Sequence, residues 1–357
     1  MDISEKIRLV REVGEEIINE EELYELFKKN KHPIAYDGFE PSGKIHIAQG
    51  LLRAINVNKL TKTGIMFKFW VADWFALMNN KMGGDLDKIQ DVGKYFIEVW
   101  KASGMDMENV KFLWASENMD RKYWLRTIQI ARLNSVQRIT RCSQIMGRKE
   151  GESLSAAQIF YPCMQASDIF QLNADIAQLG MDQRKVNVLA REIAEKLGYK
   201  KPVAVHHHML MGLQPSTSLT GDKIEQAIEM KMSKSNPDSA VFMADSEEEV
   251  ERKIKKAYCP EGIIENNPVL EYYKHIIFEL NKEVRIERDA RFGGDVVFSN
   301  YPELEKAFAN KEVHPMDLKS AAAFYINNAL IPARKHFESN KKAAALEKKV
   351  MGYEVTR

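Results

Sequence analysis

Cysteine is scarce in this chain of 357 residues: only Cys142, Cys163 and Cys259 occur, and no two of them form a Cys-x-x-Cys pair. That argues against a disulfide framework, a structural zinc site or a redox dithiol, so a reducing cytoplasm is the expected compartment. No apolar run approaches the roughly 20 residues that span a bilayer, and residues 1–11 are charged and helix-patterned, without the apolar core of a signal peptide. Neither membrane insertion nor secretion is expected. One-sided charge is lacking too. The 52 Lys and Arg face 51 Asp and Glu, a formal net charge of +1, so any nucleic-acid contact has to be a local patch rather than the field of the whole molecule. Internal repeats and low-complexity tracts are not found.

What is present is core-forming material, 45% hydrophobic residues, in a chain long enough for two domains. Residues 4–29 place apolar side chains near the helical period and read as one or two amphipathic helices. Strands are written at 33–39, 65–72, 110–114, 175–178 and 203–206, and helices between them at 46–60, 86–102, 161–172 and 182–197. Parallel strands need long crossovers, and here the crossovers are helices, so the spacing predicts an α/β fold with a doubly wound parallel sheet. A basic helical stretch at about 121–150 reads as an insertion. Beyond residue 245 strands become rare, and helices at 247–257, 268–278, 301–308 and 318–337 predict a second, mostly α-helical domain. The expected units are thus 1–245 and 246–357.

Two constellations carry chemistry. Gly38-Phe-Glu-Pro-Ser-Gly-Lys-Ile-His-Ile-Ala-Gln49 is a glycine-rich turn leading from the first sheet strand into a helix, at the edge where open α/β sheets bind ligands. Gly43 would let a ligand approach the backbone, and His46 on the first helical turn would point at a phosphate. An ordinary βα turn with a capping serine reads equally well from this segment alone. The second is Lys231-Met-Ser-Lys-Ser-Asn-Pro-Asp238, a loop whose two lysines can close over a polyphosphate and stabilise the charge of departing pyrophosphate. A solvated surface loop is the competing reading.

Taken together, these two runs resemble the paired signatures of class I aminoacyl-tRNA synthetases. The second, at 231–235, matches in full; the first departs from His-Ile-Gly-His at Ala48 and Gln49. Tyr161-Pro-Cys-Met-Gln-Ala-Ser-Asp168 puts a phenol, an amide and a carboxylate on one helix face, and Gly180-Met-Asp-Gln-Arg-Lys185 begins a helix at the ligand edge. With Tyr36, these runs resemble the amino-acid pocket of tyrosyl-tRNA synthetases of the archaeal and eukaryotic type. The alternative for Tyr161, Gln165 and Asp168 is helix packing and a local cap or ion pair.

The resemblance implies a Rossmann-like catalytic domain followed by an anticodon-binding one. It implies that Tyr36 and Asp168 hold the phenol of L-tyrosine, and that Tyr161, Gln165 and Gln183 hold its amino and carboxylate end. ATP is implied at Gly43, His46, Gln49, Asp182, Lys231, Met232, Ser233 and Lys234, with Mg2+ carried on its phosphates, and catalysis falls to His46, Lys231 and Lys234. Arg291-Phe-Gly-Gly-Asp295 and Val313-His-Pro-Met-Asp-Leu-Lys319 resemble the anticodon region. Phe292 and His314 would stack on the first anticodon base of tRNA(Tyr), and Asp317 would read its edge. A core Phe292 and an Asp317 helix cap are the structural alternatives. Arg184, which sits inside a motif, joins the tRNA contacts.

A homodimer is expected from the family, with Ile128, Ile130, Leu133, Val136 and Ile139 of the insertion as apolar material or as monomer core. His206-His-His208 alternates faces on a strand with no ligand-spaced carboxylate or cysteine, so no metal is assigned there, and the strand end leads toward ATP. Residues 214–230 form an extra polar segment to which no role is given. Tryptophanyl relatives share the architecture, but an indole N–H needs one acceptor, whereas a Tyr36 and Asp168 pair suits a group that donates and accepts. A catalytically dead RNA-binding relative and a nonspecific nucleotidyltransferase are the other rivals.

Overall fold

The structure is a computed structural model that describes residues 1–146, 153–214, 232 and 237–354. Six strands form its main sheet: β1 (Gly14–Ile18), β2 (Ile34–Phe39), β3 (Met66–Val71), β4 (Val110–Trp114), β5 (Ile176–Gly180) and β6 (Val203–His207). Their order is β1-β6-β5-β2-β3-β4, with β1 antiparallel to β6 and the other pairs parallel. The order reverses beside β2, the first parallel strand in the chain, which places the ligand crevice at the carboxyl ends of β2 and β5.

Helices α1 (Ile3–Val13), α2 (Glu20–Lys29), α3 (Leu51–Lys62), α4 (Asp73–Met78) and α5 (Leu86–Ala102) belong to the first half. The insertion is α6 (Ala115–Asn118), α7 (Arg121–Arg132) and α8 (Val136–Thr140), and α9 (Ala156–Gln171) and α10 (Arg184–Ile193) complete the sheet's cover. Ser155 and Gln158 form a reciprocal capping box that starts α9 five residues ahead of Tyr161. C-terminal helices α11 (Glu247–Lys256), α12 (Pro268–Tyr272), α13 (Tyr301–Ala309), α14 (Pro315–Ser339) and α15 (Lys341–Met351) follow.

Alternation along the strands sorts two cores. Tyr36, Trp70, Ala177 and Leu179 face one apolar cluster with α7, α9 and α10. Ala35, Phe67, Phe69, Ile176 and Val205 face the other, which runs without a break from Val10 through α3 and α5 to Val350. The stacked Phe69 and Trp100 rings, 4.6 Å apart, bind α5 to this face, and each such buried ring contributes a few kcal/mol.

Besides α4, where only a polar break was expected, and α9, which starts at 156 rather than 161, three elements differ from expectation. Gly14–Ile18 is strand, not helix, because its main chain pairs with β6 at the sheet edge. The helix after the glycine turn begins at Leu51 rather than 46: the Ile47 amide donates to Val241 at 2.9 Å and the Met243 amide to Ile45 at 3.0 Å, so tertiary pairing holds 45–47 extended. Third, the helical C-terminal region contains a hairpin of β7 (Val284–Ile286) and β8 (Val296–Phe298).

Candidate active site

Asp168 is the centre of the candidate amino-acid site. It projects from α9, is 1% exposed, and accepts from two phenols: Tyr123 of α7 at 2.8 Å on Oδ1 and Tyr36 of β2 at 3.4 Å on Oδ2. Burial pushes its carboxyl well above the usual carboxylate range, while the two phenol hydrogen bonds and Arg126 pull the other way. Burial likewise raises the Tyr36 and Tyr123 phenols, which therefore stay protonated donors.

One helical turn back along α9, Gln165 donates to Gln183 at 2.9 Å, and Gln183 donates to the Ile145 carbonyl at 3.2 Å. Another turn back, the Tyr161 hydroxyl donates to Glu40, which Asn79 also engages, and Gln158 bonds Asn79 in turn. The five residues expected to line the amino-acid pocket are thus brought together by β2, α9 and the turn after β5. Tyr123 and Glu40 were not among them. Glu40 lay inside the first motif, whereas nothing in the pattern of α7 marked Tyr123.

The residues expected to contact the nucleotide have the following places. Gly43 has φ +101°, a conformation open to glycine and costly for other residues. His46 is buried in the turn, bridged through its main chain to Phe242, and does not sit on the first turn of α3. Gln49 gives its carbonyl to Trp100 at 2.8 Å, and its side-chain Oε1 is buried without a partner among the described residues. Asp182 lies in a short 3-10 turn, Met181–Gln183, directly after β5. Met232 is 5% exposed and packs in the main core. Lys231, Ser233 and Lys234 fall outside the described residues.

Sequence reasoning also missed a buried ion pair behind Tyr36. Arg53 Nη2 lies 2.8 Å from Asp37 Oδ2, with side chains 5% and 13% exposed. Burial raises Asp37 to about 6, against the pull of Arg53 and with the push of Asp182.

The expected tRNA contacts lie elsewhere and are not brought to the pocket as a group. Arg184 meets Glu16 at 2.9 Å, a partner that also holds His206. His314 is exposed and caps α14, its Nδ1 accepting from the Met316 amide at 3.2 Å, so Asp317 is a first-turn residue and not the cap. Phe292 ends the 3-10 turn Ala290–Phe292, between the strands of the β7–β8 hairpin. In the insertion, Ile130 and Ile139 are core, but Ile128, Leu133 and Val136 are 57%, 40% and 67% exposed. Among the described residues no helix is long and apolar enough to cross a membrane.

The family described as "tRNA synthetases class I (W and Y)" matches residues 28–330. "Tyrosine--tRNA ligase 1, cytoplasmic" of Arabidopsis thaliana is 51% identical over 360 residues, covering 100% of this chain and 90% of that protein. The tyrosyl-tRNA synthetase of Leishmania major in complex with tyrosinol superposes with a TM-score of 0.90 and 46% identity; it covers 99% of this chain, which spans only 53% of that longer one. The Pyrococcus horikoshii tyrosyl-tRNA synthetase complexed with L-tyrosine gives a TM-score of 0.91 at 40% identity, covering 98% of this chain and 100% of its own.

Proposed function

Because the chain belongs to the class I tyrosyl-tRNA synthetases of the archaeal and eukaryotic type, we infer that the pocket around Asp168 holds L-tyrosine while ATP activates it and tRNA(Tyr) receives it. The observation that carries the pocket assignment is the pair of oxygens on Asp168, each engaged by a phenol. A substrate phenol entering beside Tyr36 both donates to Asp168 and accepts from Tyr36, whereas phenylalanine offers neither a donor nor an acceptor there. Sites built this way reject the analogue lacking the hydroxyl by roughly ten-thousandfold or more.

In this reading Gln165, Gln183 and Tyr161 orient the amino and carboxylate end. The carboxylate, already ionised at neutral pH, attacks the α-phosphorus of ATP, so the protein supplies position and charge rather than a general base. His46, Lys231 and Lys234 stabilise the charge on the transferring and departing phosphates, with Gly43, Gln49, Met232 and Ser233 beside them and Asp182 on the ribose. Mg2+ arrives on the ATP phosphates; among the described residues no group of three or more histidine, cysteine, aspartate or glutamate side chains is arranged to hold a metal ion. A ribose hydroxyl of the tRNA's terminal adenosine then takes the tyrosyl group.

The segment from 246 onward serves as the anticodon-binding unit, with His314, Phe292 and Asp317 at the first anticodon base and Arg184 toward the acceptor end. The exposed Ile128, Leu133 and Val136 form part of a homodimer interface. The enzyme works in the cytoplasm, as the name of the Arabidopsis relative says of that protein. Incubating the purified chain with ATP and tyrosine alone, then isolating protein-bound tyrosyl-adenylate, tests the reading; folded protein that retains no adenylate contradicts it.

A further inference from the structure

The three consecutive histidines that close β6 have three different surroundings. His206 is fully buried between Glu16, 2.8 Å from its Nδ1, and Asn187, 3.0 Å from its Nε2. His208 lies between Glu15 and Glu271. His207 turns instead to the nucleotide crevice. The register pairs His207 with Gly180 and Tyr36 with Ala177, so Asp37, Gln178 and His207 share one sheet face at the carboxyl ends of β2, β5 and β6.

These groups form a chain. Arg53 reaches from α3 to Asp37 and, through Nη2, to the Gln178 carbonyl at 3.4 Å. Its guanidinium also lies over the Phe67 and Phe69 rings, 5.0 Å and 5.5 Å from their centroids. Gln178, 0% exposed, meets His207 Nδ1 with its side-chain Nε2 at 3.0 Å. With the Gln178 amide in this orientation, which leaves its Oε1 buried without a partner among the described residues, Nδ1 accepts and the ring proton sits on Nε2. Burial, with Arg53 and the flanking histidines, holds His207 well below the usual imidazole range, which keeps that tautomer neutral.

Where Nε2 points follows from Gly180. A β-carbon built there would lie 2.7 Å from Asp182 Oδ1 and 3.6 Å from His207 Nε2. An acceptor-only carboxylate and a fixed N–H donor therefore flank one point at the end of β5. A vicinal diol needs that combination, since its hydroxyls donate to a carboxylate and still offer lone pairs.

We propose that His207 is a second ribose-binding residue of the ATP site, its Nε2–H donating to a ribose hydroxyl oxygen beside Asp182, with Gln178, anchored by Arg53 and Asp37, as its positioning residue. The inference rests on the reading of this crevice as the ATP site of a tyrosine-activating enzyme.

Tyrosine-dependent pyrophosphate exchange with ATP, 2'-deoxy-ATP and 3'-deoxy-ATP tests it on the full chain and two variants. His207→Asn puts an amide where Nδ1 sits, keeping a partner for Gln178 but stopping short of Nε2; His207→Gln extends an amide to the Nε2 position. His207→Asn should raise KM for ATP roughly three- to tenfold, the worth of one neutral hydrogen bond. It should leave KM for tyrosine unchanged and narrow the preference for ATP over at least one deoxy analogue by the same factor, and His207→Gln should recover much of the loss. An unchanged preference over both analogues, or a KM for tyrosine that rises in step, overturns the inference. If His207→Asn does not fold, Gln178→Met takes its place with the same expected and contrary results. Absence of exchange by the unsubstituted chain with any nucleotide would mark failure of the tyrosine-activating reading itself, and this inference would fall with it.

Discussion

Tyr123 holds Asp168: its hydroxyl donates to Oδ1 at 2.8 Å, on the opposite oxygen from Tyr36, and a second contact at 2.9 Å ties the same hydroxyl to the Met164 carbonyl. A residue of the helical insertion thus fixes the carboxylate that, in the proposed assignment, a substrate phenol meets. Tyr123→Phe frees one oxygen of a carboxylate that burial already destabilises. The expected result is a KM for tyrosine raised roughly three- to tenfold and a stability loss of about 1–3 kcal/mol, with KM for ATP unchanged. Exchange kinetics and urea unfolding read the two effects; an unaltered KM for tyrosine would show that Oδ1 orientation is irrelevant.

Asp168→Asn keeps the size of the side chain and removes its charge. Discrimination between tyrosine and phenylalanine should drop at least tenfold, because an amide offers a donor where the phenol's own proton has to go. ATP binding should change far less. Equal losses for both substrates would refute the pocket assignment.

The helical cap on α14 is His314, which leaves Asp317 without that duty. Asp317→Ala should therefore cost no more than about 1 kcal/mol, the usual worth of a first-turn acid against the helix dipole, and should spare adenylate formation. Charging of tRNA(Tyr) should be impaired severalfold or more. Adenylate formation and charging lost in parallel would make Asp317 a structural residue.

His208 gives the molecule a signed pH dependence. Its ring nitrogens lie 3.2 Å from Glu15 and 3.1 Å from Glu271, its face stacks on His275, and Lys274 stands nearby. Burial opposes its charge, but the two carboxylates raise it from 6.5 to about 9, while burial and His208 push His275 down to about 3. A folded-state value above the unfolded one means stability that is full below pH 6.5 and lost as pH rises through about 9, at most about 3 kcal/mol. His208→Gln should flatten the decline in urea midpoint between pH 7 and 9.5; parallel slopes would contradict this.

The exposed Ile128 and Val136, 57% and 67% open to solvent, lie on a surface that a homodimer would cover. Ile128→Glu with Val136→Glu should convert dimers to monomers in sedimentation, without a lower melting temperature of the monomer fold. Dimers that persist would move the interface elsewhere.

Strand-helix alternation from 34 to 206 was legible because both periods are clean and the breaks fall at glycines. Gly14–Ile18 was not: Gly14 and Asn19 end and begin the flanking helices, but only the partner β6, about 190 residues away, makes the residues between them a strand. The start of α3 failed for the same reason, as 241–243 capture 45–47. The β7–β8 hairpin did leave a signal, Gly293-Gly294 ahead of the β-branched pair Val296-Val297. At the candidate site, Glu40 inside the first motif, Arg53 just after it and Tyr123 on a separate helix were not singled out: a residue's place beside a motif depends on packing, which has no period.

Exchange of pyrophosphate into ATP by the purified chain, with tyrosine, tryptophan or phenylalanine and no tRNA, tests the central claim most directly. The account predicts exchange with tyrosine and at most a ten-thousandth of that rate with the other two. Exchange driven by tryptophan, or by tyrosine and phenylalanine alike, would contradict it.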